Sequence, residues 1–142
     1  MTQVDFYTQV DNKRLFACQI TAKAFGKKLP VLVYAANAEE SAALDRMMWT
    51  TPQISFVPHC IATHRLASET PVIIAHEPHD LYHHDILVNL QTEWPPFFSR
   101  FERLIEIVSN DDADKAAARS RWKFYKDRGY SLTNHDMSKP NR

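Results

Sequence analysis

Hydrophobic and polar residues change their rhythm several times along the chain, and each rhythm predicts an element. Val4, Phe6 and Thr8 alternate with Asp5, Tyr7 and Gln9, the period of a strand near a sheet edge or end. From Lys13 to Lys28 a wide apolar stripe of Leu15, Phe16, Cys18, Ile20, Ala22, Ala24 and Phe25 runs at helical spacing, with Gly26 where a helix stops. Pro30 opens the continuous apolar run Val31 to Ala35, of the kind found in strands covered on both faces. Asn37 fits an N-cap, and Glu40 three residues on closes a capping box before Leu44, Met47 and Met48 in a second helix that ends near Trp49.

Between Thr51 and Thr70 the pattern turns irregular, with Ser55-Phe56-Val57-Pro58-His59 as its one apolar island, and reads as a structured loop with a short strand. Two buried-strand runs follow, Pro71 to Ala75 and Asp85 to Leu90, separated by a polar, histidine-rich stretch. In the segment Pro96 to Ser109 helical and strand periods compete. A short helix after Pro96 and a strand from about Arg103 give the sheet its last strand before the final helix, Asp111 to Arg128. Asn110, Asp111 and Asp112 supply that helix with a cap and a negative first turn, both favourable against its dipole. Helical and extended runs alternate as in an α/β domain, so residues 1–130 are expected to form one domain and residues 131–142 a polar C-terminal tail, frayed from Thr133 on.

Composition narrows the chemistry. Only two of the 142 residues are glycine, against roughly ten at the usual share of about 7%. With glycines at 26 and 129 alone, the phosphate-cradling G-x-G-x-x-G and G-x-x-x-x-G-K motifs and the G-x-S-x-G nucleophile elbow are all absent. Seventeen basic residues balance seventeen acidic ones, so no global field draws the molecule to duplex DNA or an anionic membrane, and any electrostatic function is local. The start, MTQVDFYTQV, has no basic region followed by an apolar core, and no apolar run approaches bilayer length, which makes a cytoplasmic location the default expectation. Cys18 and Cys60 lack a C-x-x-C spacing and read as reduced thiols.

Two histidine groups invite a metal reading: His76, His79, His83 and His84 with Asp85, and His59 with Cys60 and His64. Neither matches H-E-x-x-H or a paired-cysteine pattern, so no metal or other cofactor is expected. The pairs Glu39-Glu40 and Asp111-Asp112 sit at helix starts, where capping accounts for them.

The final helix carries the strongest signal. Lys115, Arg119, Trp122 and Lys126 fall in one narrow stripe at about 100° per residue, with Lys123 beside it and Ala113, Ala117 and Phe124 opposite, facing the expected core. Between positions 115 and 128 there are six basic residues and one acidic, Asp127, with a tryptophan in their midst. Such a ridge suits an acidic peptide with an apolar anchor or the stacked bases of single-stranded nucleic acid, or is simply a solvated face.

Several segments together resemble the chi subunit family of bacterial DNA polymerase III. They are Phe6-Tyr7, Leu44-Asp45-x-x-x-Trp49, Ser55-Phe56-Val57-Pro58-His59, Asp85-Ile86-Leu87-Val88-Asn89-Leu90 and Arg119-x-Arg121-Trp122-Lys123-x-Tyr125-Lys126-x-x-Gly129-Tyr130, in order and over nearly the whole chain. The resemblance implies a single three-layer Rossmann-like α/β domain, with a mainly parallel central sheet and no phosphate-binding loop. It implies a protein not catalytic alone, a subunit of the polymerase holoenzyme at the bacterial replisome. Its partners would be the psi subunit of the clamp-loader complex, the acidic C-terminal tail of single-stranded DNA-binding protein, and a DNA-repair helicase competing for the psi surface. DNA would be met only indirectly and a membrane not at all.

By position, the resemblance assigns tail binding to Lys115, Arg119, Trp122 and Lys123, with Val108 and Trp49 bordering an apolar pocket. It assigns Phe56, with Val57 and Pro58, to psi or the helicase, although Phe56 and Val57 also read as core. The competing function is direct single-stranded nucleic-acid binding, against which the neutral total charge argues. An enzyme using the histidine loop lacks a nucleophile and an orienting group.

Overall fold

A computed structural model describes residues 2–51, 57–62, 70–77 and 83–138. Among these residues, seven strands and three helices follow one another as β1 (Gln3–Val10), α1 (Lys13–Gly26), β2 (Val31–Tyr34), α2 (Ala38–Thr50), β3 (His59–Ile61), β4 (Val72–Ala75), β5 (Ile86–Asn89), β6 (Arg103–Ser109), α3 (Asp112–Asp127) and β7 (Ser131–Asp136). A 3-10 turn, Phe98–Arg100, precedes β6. The strands form one sheet in the order β3-β4-β2-β5-β6-β1-β7, and every pairing is parallel.

Crossover handedness fixes the layers. The β1–α1–β2 and β2–α2–β3 connections step across the sheet in one direction, whereas β6–α3–β7 steps in the other. Right-handed crossovers taken in opposite directions place their helices on opposite faces. Accordingly, Ala17, Cys18, Leu44 and Met48 of α1 and α2 share one core with Val31, Val33, Ile74, Val88 and Ile105. Ala118 and Tyr125 of α3 share the other with Val4, Phe6, Leu32, Leu87, Leu104 and the turn residues Phe97, Phe98 and Phe101. This is a three-layer α/β domain whose central strands are buried on both faces, as the runs 31–35, 71–75 and 85–90 predict.

Two sequence expectations are corrected by the structure. The segment 131–136, assigned to the polar tail, is the edge strand β7: its backbone pairs with β1 from Gln3↔Ser131 to Thr8↔Asp136, so β1 is flanked on both sides. The buried face of α3 is Ala118, Arg121 and Tyr125; of the residues expected there, Phe124 packs partly buried against this core, whereas Ala113 is exposed. Gly26 is the last residue of α1 and Gly129 follows α3, both where a helix was expected to stop; the left-handed backbone falls on Lys28 at φ 62° and on Gly129 at φ 82°.

The caps also differ in detail. Asn37 Oδ1 accepts from the Glu40 amide at 2.9 Å, but the Glu40 carboxylate turns to Arg14 Nε and Nη2 at 2.8 and 2.6 Å instead of closing the box. Asp111 is the N-cap of α3. The short strand expected between Thr51 and Thr70 is β3, which begins at the last residue of the apolar island, His59. Phe56 and Ser55 lie outside the described residues, as do His64 and His79. Cys18 and Cys60 are free thiols, and burial pushes the Cys18 thiol up to about 11.

Candidate functional site: a cleft at the switch point of the sheet

The strand order marks one place as special. Adjacent strands β6 and β1 send their following helices, α3 and α1, to opposite faces. At such a switch point the connections diverge and leave a crevice beyond the carboxyl ends of the strands, where ligands of open α/β sheets bind. The carboxyl ends here are Thr8 and Gln9 of β1 and Val108 and Ser109 of β6, and all four line a cleft of about 410 Å³. Its remaining walls are Phe6, Asn134 of β7, and Lys115, Ala118, Arg119 and Trp122 of α3.

The two diverging connections are pinned together. Asn110 Nδ2 donates to Asp11 Oδ1 at 2.9 Å, and Lys13 Nζ lies 3.2 Å from Asp114 Oδ2. Asp114 also accepts from the Ser109 amide at 2.7 Å. Burial works to raise the Asp114 carboxyl, but the Ser109 amide and Lys13 outweigh it and hold the group below its usual range. The start of α3, and with it Lys115 one residue later, is thereby fixed against the sheet.

The base of α3 rests on a buried polar cluster that sequence reading missed. Glu106 of β6 is fully buried, and its carboxylate accepts from Arg121 Nε at 3.0 Å, from Tyr125 Oη at 2.6 Å and from Asn89 Nδ2 at 3.0 Å. Burial raises the Glu106 carboxyl, against the opposing pull of Arg121, Tyr125 and Asn89. Arg121 is 1% exposed and also donates to the Thr92 carbonyl at 2.7 Å. The signal was available as a lone acidic residue inside the apolar run Leu104-Ile105-Glu106-Ile107-Val108. Its partner, however, was hidden among the other cations of the helix.

That pairing redraws the basic ridge. Arg121 is neutralised inside, and Lys123 is paired with Asp127 on the surface at 3.2 Å. Arg128 lies 3.7 Å from the centre of the Phe124 ring, whose stack with Trp94 has a centroid separation of 3.7 Å. Among the described residues, Lys115 and Arg119 have no ion-pair partner, and both line the cleft. Trp122 is half-buried instead of exposed, set edge-on to Phe6 at 5.1 Å, so it forms a wall with Val108. The cleft therefore joins two cations to an apolar floor.

Of the residues singled out by sequence, Lys115, Arg119, Trp122 and Val108 converge on the cleft. Lys123 and Trp49 are not in its lining. Trp49 stands at the end of α2, on the other side of the sheet, 60% exposed and 4.6 Å from the His59 ring. The His59 Nδ1–H donates to the Val57 carbonyl at 2.8 Å. Val57, expected with Phe56 and Pro58 on the psi or helicase surface, is instead buried in the core, while Pro58, which precedes the His59 that packs on Trp49, is exposed. Among the described residues no group of three His, Cys, Asp or Glu side chains could hold a metal ion. No helix among them is long and apolar enough to cross a membrane.

Fold and site define a parallel α/β protein whose switch-point crevice is lined by side chains, with no glycine loop in it. The family described as DNA polymerase III chi subunit, HolC, matches residues 1–133. DNA polymerase III subunit chi of Pseudomonas aeruginosa is 33% identical over 141 residues, covering 96% of this chain and 98% of the relative. The Escherichia coli K12 subunit chi is 30% identical over 132 residues, covering 92% and 88%. The chain belongs to the DNA polymerase III chi subunit family. Among solved structures, the C-terminal domain of S. cerevisiae Dbp5, solved bound to Gle1 and IP6, superposes with a TM-score of 0.60 at 11% identity. That likeness covers 94% of this chain and 90% of the other, and concerns the fold alone.

Proposed function

We propose that this chi subunit is a non-catalytic adaptor of the polymerase holoenzyme in the bacterial cytoplasm, and that its switch-point cleft takes the acidic C-terminal tail of single-stranded DNA-binding protein. The observation that carries this reading is the pairing of two uncompensated cations, Lys115 and Arg119, with the apolar floor of Phe6, Val108, Ala118 and Trp122. A peptide ending in aspartates, apolar residues and a free carboxylate matches both halves: charge-assisted contacts at the rim and burial of its last side chain below. The exposed surface of Trp49 and Pro58, on the opposite side of the molecule, is the place for the psi subunit or a competing DNA-repair helicase, with Phe56 in the same chain segment. Two partners on opposite faces suit an adaptor, since neither displaces the other.

Direct single-stranded nucleic-acid binding is the weaker reading. It needs aromatic faces open to bases, whereas Trp122 is turned edge-on to Phe6, and Phe124 lies between Trp94 and Arg128. The discriminating experiment titrates labelled tail peptide and a single-stranded oligonucleotide against the protein at equal salt. Binding of the peptide alone supports the adaptor reading, and binding of the oligonucleotide alone overturns it.

A further inference from the structure

Strand β1 contains a defect that lies in the cleft wall. Its pairing with β6 runs in step from Gln3↔Arg103 to Tyr7↔Ile107 and then shifts, so that Val10 faces Ser109. One extra residue is thus inserted in β1, and Gln9 there has φ 60°. The insertion changes which way the strand faces. Val4 and Phe6 point into the α3-side core, and strict alternation would send Val10 the same way; instead Val10 packs in the α1-side core. Thr8 and Gln9, consecutive in sequence, both line the cleft at the bulged end of β1, facing Val108 and Ser109 at the end of β6.

A left-handed backbone at a residue with a Cβ is unfavourable, and glycine is the residue that relieves it. Gln9 holds that position in a bulge at the switch point, where backbone strain at a functional site points to a use for the side chain. Its neighbours complete a polar wall: Thr8 Oγ1 donates to Asn134 Oδ1 at 3.4 Å, engaging that oxygen, and Ser109 lies alongside in the lining. The opposite wall carries Lys115 and Arg119.

We infer that Gln9 is a further binding residue of this cleft, held by the bulge so that its side-chain amide hydrogen-bonds an acidic peptide that Lys115 and Arg119 hold by charge. The inference rests on the tail-binding reading of the cleft and adds to it a neutral, directional contact supplied by the sheet. An amide that donates to a carboxylate or a main-chain carbonyl confers register, which the flexible lysine does not.

The test uses the full chain and an aspartate-rich peptide with apolar last residues and a free C-terminus. Gln9→Gly removes the side chain and relieves the backbone, so its melting temperature stays or rises while peptide affinity falls about tenfold, the worth of one hydrogen bond to a charged partner. Gln9→Glu places a carboxylate in the same position and loses more affinity, and the loss shrinks as salt is raised. If both variants bind like the parent while Arg119→Ala loses binding, the role of Gln9 is overturned and the cleft reading stands. If Arg119→Ala also binds like the parent, both fall.

Discussion

Arg121 Nε lies 3.0 Å from Glu106 Oε1 with both side chains almost wholly buried, an ion pair that joins the middle of α3 to β6. Removing one member leaves the other charged and unpaired in the core, which costs about 3–5 kcal/mol. Glu106→Gln and Arg121→Met are each expected to unfold at markedly lower urea concentration than the parent. The double variant Glu106→Gln/Arg121→Met recovers part of the loss. Additive losses in this cycle would contradict a coupled pair.

Gly129 and Lys28 make opposite backbone predictions. Gly129 sits at φ 82°, so Gly129→Ala is strained even though space is open around it, and costs about 1 kcal/mol, or roughly 3 °C in melting temperature. Lys28 sits at φ 62°, so Lys28→Gly stabilises by a few tenths of a kcal/mol or more. Calorimetry on the two variants reads both signs.

Asp114 predicts the acid limb of stability. Its folded carboxyl is held below the ordinary value of about 3.9, so the ionised form is favoured by folding. The stabilisation is therefore fully present above that ordinary value and is lost as pH falls through the lower folded one. Asp114→Asn is less stable than the parent at neutral pH, and the gap narrows as the solution becomes strongly acidic. A gap that widened towards acid would reverse the assignment.

The elements were largely readable from local pattern, because the buried runs 31–34, 72–75 and 86–89 and the period of α1 and α2 are local properties. The ambiguous segment resolved as a 3-10 turn and a strand from Arg103, as the need for a last strand suggested. Strand β7 escaped because an edge strand held by backbone pairing needs no apolar side chains, and Ser131–Asp136 has almost none. The buried face of α3 escaped because Arg121 is indistinguishable from its solvated neighbours until Glu106 is placed opposite it. The cleft was found in part: its α3 wall is a helical stripe, whereas its β1 and β7 wall depends on strand order and on a bulge, neither of which is a local property.

The separate Trp49 surface carries its own prediction. Trp49→Ala removes a side chain that is 60% exposed, so stability changes by no more than about 1 kcal/mol, while psi binding, measured by co-purification, is weakened and tail-peptide affinity is unchanged. Loss of peptide affinity in this variant would return Trp49 to the cleft.

In the proposed function, the cleft between α3 and the ends of β1 and β6 receives an acidic, apolar-ended peptide. The most direct measurement is peptide affinity by fluorescence anisotropy for the parent and for Arg119→Ala, whose exposed side chain can be removed without disturbing the core. Peptide binding in the cleft predicts that Arg119→Ala keeps the melting temperature of the parent and loses about tenfold or more in affinity, and that binding to the parent weakens as salt rises. Equal affinity in parent and variant at low salt would contradict it.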